Sequence, residues 1–128
     1  MSKTNKRELE EKQRATAVSM LSLYIPMEMH LNALQNVRDK KKEAGEEIAV
    51  LNKQIDKTYD KIIDLGDRIA LLVDELPEVQ RDIIVQTYIC GENQSSIAKN
   101  MHYSVQHIKR LKSKALTTIG AIIERETQ

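Results

Sequence analysis

The chain has 128 residues, with 20 Lys or Arg against 19 Asp or Glu for a formal net charge of +1, and it is 41% hydrophobic and 30% charged; this balance excludes a disordered chain. Its only aromatic residues are Tyr24, Tyr59, Tyr88 and Tyr103, and four Gly and two Pro are too few for the turns of an all-β domain, so an aliphatic, all-α core is expected. A single Cys90 rules out an internal disulfide, and with no signal-like segment or long apolar run the expected setting is a reducing cytoplasm.

Residues 1–26 read as an N-terminal helix with a frayed start over residues 1–6. Leu9, Val18, Leu21 and Ile25 supply its apolar positions, and Pro26 limits its continuation. Residues 27–76 read as a helical hairpin or coiled-coil stalk. Met27, Leu31, Leu34 and Val37 mark a first, shorter helix that fades into a charged stretch, with Gly45 as the turn point. From Ile48 the apolar positions are Leu51, Ile55, Tyr59, Ile62, Leu65, Ile69, Leu72 and Leu76, at spacings of 3, 4, 4, 3, 3, 4, 3 and 4. That is a heptad-like seam on one helix of roughly 45 Å.

The seam needs a partner. The upstream helix covers it from within the chain as an antiparallel hairpin, or a second copy covers it as a homodimer. The shorter upstream helix leaves part of the seam over, which favours a hairpin that also dimerises. Residues 28–76 hold 8 Lys or Arg against 11 Asp or Glu, so the stalk is acidic.

Pro77 and Glu78 suit the first turn of a new helix, and the residue before a proline is pushed out of the α region, so the stalk should stop at Leu76. Residues 77–128 form the head. Its first helix carries Val79, Ile83, Ile84, Tyr88 and Ile89 and ends near Cys90, expected to be a small buried residue, and Gly91, a natural C′ residue. A short helix from about Gln94 buries Ile97, Ala98 and Met101, and a tight turn spans His102 and Tyr103. Ser104 then caps a helix whose inner face is Ile108, Leu111, Ala115 and Leu116. This is helix-turn-helix spacing, although a generic helical hairpin would use the same apolar positions.

Residues 95–114 contain Lys99, Lys109, Arg110, Lys112 and Lys114 and no acid. The outward face of the second helix is Gln106, His107, Lys109, Arg110, Ser113 and Lys114. Arg and Lys donate to guanine O6 and N7, and Gln pairs with adenine N6 and N7, so these types suit a major groove. Base contacts are expected from residues 106–110, at the N-terminal half of the helix. Ser95, Ser96, Lys99 and Lys112 are better placed for phosphates, and Ser104 is expected among the DNA-binding residues.

The stretch from Leu76-Pro77-Glu78 to Leu116 resembles region 4 of the sigma-70 family. Arg81, Tyr88, Gly91, Ile97-Ala98 and Ser104-x-x-x-Ile108-Lys109 carry the pattern, and His102 stands where glycine is usual in the turn. The segment from Tyr103-Ser104 to Ala115-Leu116, with Asp64-Leu65-x-x-Arg68-Ile69, is similar to small phage regulators of the ArpU-like kind. The resemblance implies a promoter-binding helix-turn-helix, host RNA polymerase as a second partner, and a phage or mobile-element origin. It does not extend to a complete sigma factor, because opening of the −10 element needs exposed aromatic residues and this chain has no Phe or Trp.

His30, His102 and His107 lie at no metal-ligand spacing with Cys90 or one another, so no metal or other cofactor is expected. No phosphate loop or nucleophile elbow is present, and no enzyme is expected. Two functions remain. One is a sequence-specific double-stranded DNA-binding transcriptional regulator; the other is an interaction protein that occupies RNA polymerase or another host factor without specific DNA binding.

Overall fold

Six α-helices and no strand make up residues 3–127, the part of the computed structural model described here: α1 Lys3–Leu21, α2 Tyr24–Glu43, α3 Ala49–Val73, α4 Glu78–Tyr88, α5 Gln94–Met101 and α6 Val105–Glu126. The expected frayed start lies partly outside these residues, at 1 and 2; residues 3–6 are helical. No helix among the described residues is long and apolar enough to cross a membrane.

The first helix ends earlier than its apolar pattern suggests. It stops at Leu21, and Pro26 lies inside the first turn of α2 rather than terminating α1. A proline ring collides with the carbonyl four residues before it. That carbonyl belongs to Ser22, which is where the chain breaks, and within the first turn the missing N–H leaves no bond unmade.

Helices α2 and α3 form the antiparallel hairpin. Ala44 and Gly45 close it, with Gly45 at φ 74° and the pair of bonds Gly45 N–H to Lys42 O and Glu46 N–H to Lys41 O, 3.1 and 2.9 Å, typical of a glycine-terminated helix. Leu31, Ile55 and Ile62 are buried between the two helices, with Tyr24, Met27 and Leu34 packed around them. The expected seam position Tyr59 is instead 53% exposed. At 3.6 residues per turn Tyr59 lies about 40° around the helix from Ile55 and about 60° from Ile62, and a two-helix contact covers only a narrow arc.

The remainder of the α3 seam is not left over for a second copy. Ile69, Leu72 and Val73, with Leu76 beyond the helix end, enter the main core beside Ala17 and Leu21 of α1, Ile84 of α4, and Ala115, Leu116 and Ile119 of α6. A satellite cluster of Ile83, Ile97, Ala98 and Ile108 locks α4, α5 and α6 together. The stalk and head therefore share apolar burial. Their joint is reinforced by Arg81, whose Nε and Nη2 donate to the Val73 and Leu76 carbonyls at 3.2 and 3.3 Å; the Val73 carbonyl also accepts from Leu76 N–H at 3.0 Å.

Helix α1 folds back along α6, antiparallel to it. Gln13 meets Gly120 and donates from its side chain to Glu124 at 3.2 Å, while Arg14 donates to Thr117 Oγ1 at 3.3 Å. Cys90, expected to be buried, is exposed, because it follows the end of α4 and Gly91 at φ 72° turns the chain away from the core.

Candidate nucleic-acid interface

The geometry of the head starts with two short caps. Asn93 Oδ1 accepts from Ser96 N–H at 2.8 Å and opens α5; Ser104 Oγ accepts from His107 N–H at 3.1 Å and opens α6. Each side chain satisfies a backbone donor that the first helical turn leaves without a partner. Between them His102 adopts φ 61°, ψ 38°, the left-handed conformation that glycine enters without cost. His102 N–H and Tyr103 N–H bond Lys99 O and Ala98 O. The turn thus has glycine's geometry with a histidine in it.

Buried Ala98 and Ile108 meet in the satellite core, which places the first half of α6 with its polar side outward. Gln106, Lys109, Arg110 and Ser113 are exposed and line one shallow cleft. Lys114 is exposed beside Arg110 and Ser113 in an adjoining cleft. Ser95 and Lys99 are exposed on α5, and Ser96 is half-buried.

Two of the expected residues are held in ways that composition does not show. His107 is half-buried, with its ring edge-on to Tyr103 at 4.8 Å and its Nδ1 3.2 Å from Arg110 Nη2. In that contact Nδ1 is the acceptor, since a guanidinium only donates, so His107 aims Arg110 as well as facing outward. Lys112 is turned away from Gln106 and Arg110, its Nζ 5.7 Å from the centre of the Tyr88 ring. Burial lowers the Lys112 pKa and raises that of Tyr88, because each charged form loses hydration there. The ammonium rests on the ring's negative face.

Gln106, Arg110, Ser113, Thr117, Gly120 and Glu124 succeed one another at intervals of three or four residues and so form one stripe along α6. Its first half is open. Its second half lies under α1, through the Arg14, Gln13 and Gly120 contacts. Arg14, absent from the residues expected at sequence level, therefore sits at the rim of the open half; its weak signal in the sequence is that α1 is amphipathic and must bury a face somewhere.

Residues 72–119 match the family model described as Sigma-70, region 4. The match runs from the end of α3 through α4 and α5 into α6, so the head contains a helix-turn-helix similar to that DNA-binding region. The stalk pattern around Asp64 and Arg68, and all of α1, lie outside it. No curated protein and no solved structure matches the chain.

Proposed function

We propose that this protein is a sequence-specific double-stranded DNA-binding transcriptional regulator of phage or mobile-element origin, which inserts the first half of α6 into a major groove. One observation carries the reading: an exposed face of Gln106, Lys109, Arg110 and Ser113, with no acid between residues 95 and 114, on a helix capped and braced as the second element of a helix-turn-helix. The groove accepts one α-helix, and its donor and acceptor pattern distinguishes the base pairs. Lys109 and Arg110 supply charge for phosphates and guanine, and Gln106 supplies the paired donor and acceptor that adenine requires.

Ser95 and Ser96 in the first turn of α5, Lys99 in its last turn and the Ser104 cap of α6 serve the backbone. Lys112 contributes general positive potential from its seat on Tyr88. The similarity to sigma region 4 makes host RNA polymerase the corresponding second partner, and the exposed apolar side chains of the hairpin, such as Tyr59 and Ile63, are the surface we assign to self-association. The expected compartment is the cytoplasm, where that polymerase works.

Salt-titrated binding to duplex DNA tests this. The paired substitution Lys109→Ala with Arg110→Ala should weaken binding and lower the slope of log K against log salt by about two, as two phosphate-neutralising cations are lost. Unchanged affinity and slope would exclude α6 as the reading helix and favour the alternative, a polymerase-binding protein that does not read DNA.

A further inference from the structure

We propose that the cleft between α1, the first turn of α4 and the middle of α6 is a second DNA contact, which seats a backbone phosphate of the duplex whose bases α6 reads, with Arg14 as its clamp. This inference rests on the major-groove reading above. Arg14, Arg110 and Lys114 line the cleft together with Ser113 and Thr117, and Glu10 is the only acid among its lining residues. Three cations and the Ser113 hydroxyl form a donor set for a phosphate oxygen cluster, while the Thr117 hydroxyl donates to the Ser113 carbonyl at 3.0 Å and holds Arg14 from the other side. None of these four donors is an ionised acceptor.

The placement of Arg14 is built rather than incidental. Its Nη1 donates to Thr117 Oγ1 at 3.3 Å and stands 3.9 Å from Glu10 Oε2, while its side chain stays 30% exposed. An Arg has five N–H donors, so one bond to α6 leaves others for a ligand. The site is continuous with the reading face, because Arg110 and Ser113 line both clefts. A duplex seated on Gln106 and Lys109 thus meets, where the stripe runs under α1, a wall carrying a cation.

Glu10 has a definite part in this arrangement. Without DNA it shares the Arg14 charge across one helical turn; with DNA it is a like charge beside a phosphate and weakens binding. The cleft consequently responds in opposite directions to the loss of its two α1 residues.

The test is salt-titrated binding of the full chain to a duplex of random sequence and to a selected duplex, with thermal unfolding of each variant alongside. Arg14→Gln should weaken binding to both duplexes to a similar extent and reduce the salt slope by about 0.9, which makes the loss of affinity between 50 and 200 mM salt roughly threefold smaller than in the wild type. Arg14→Lys should retain the slope. Glu10→Gln, which removes the acid without disturbing the α1–α6 contact, should raise affinity roughly twofold at fixed low salt. If wild-type binding is lost by Lys109→Ala but Arg14→Gln and Glu10→Gln leave affinity and slope untouched, Arg14 is only a brace for α1 and the second contact is wrong. If the wild type itself shows no salt-dependent duplex binding, the major-groove reading falls and the cleft with it.

Discussion

His102 shows how a residue at odds with its pattern is accommodated. The turn between α5 and α6 demands a left-handed residue, and His102 takes φ 61° at a cost of about 1 kcal/mol relative to glycine. Replacing His102 with Gly should therefore raise stability by up to roughly 0.5 kcal/mol, after the greater freedom of glycine in the unfolded chain is subtracted. Urea unfolding reads the change directly; a loss of stability instead would show that the imidazole makes a contact worth more than the strain. Caps and turns of this kind are legible in sequence because they depend on residues three or four apart. Ser104 and Gly91 could be placed that way. The Lys112 contact with Tyr88 could not, since its partner lies 24 positions away and only the packing of α4 on α6 brings the ring beneath it.

At the scale of elements, the close contact of α1 with α6 depends on Gly120. A Cβ there would overlap the Gln13 backbone, which cannot yield as a flexible side chain can. Gly120→Ala should destabilise the protein by about 1 to 3 kcal/mol through this overpacking. Gly66, also inside a helix, offers the contrast. Its nearest neighbour is Tyr24 Cε2 at 3.6 Å, an ordinary contact, so Gly66→Ala should stabilise by up to roughly 1 kcal/mol from helix propensity. Opposite signs from the same substitution, followed by thermal unfolding, would establish the crossing; equal signs would contradict it. The helix-turn-helix itself was readable from Ile97, Ala98 and Ile108, because its elements are consecutive. The α1–α6 pairing was not, because its helices stand at opposite ends of the chain and their apolar stripes name no partner.

For the whole molecule, the cationic segment stays exposed after folding: the reading face of the head, within residues 95–114, has no acid. The α3 seam is closed by α2 and by the main core, so the proposed self-association would rest instead on exposed apolar side chains of the hairpin, among them Tyr59 at 53% and Ile63 at 45%. Light scattering at tens of micromolar should give the mass of a dimer, and Tyr59→Asp with Ile63→Asp should return it to that of one chain, 14.7 kDa; a wild type already at that mass would remove the stalk as an interface. Helix content, the hairpin turn, the caps and the cationic stripe follow from the residues alone, because each arises from interactions within one or two helical turns. Which body closes the lower seam of α3, and how far along α6 a duplex can reach before it meets α1, was decided only in three dimensions. Hydrophobic burial is non-directional: a stripe of Leu and Ile requires a cover, and only the packed chain determines what that cover is.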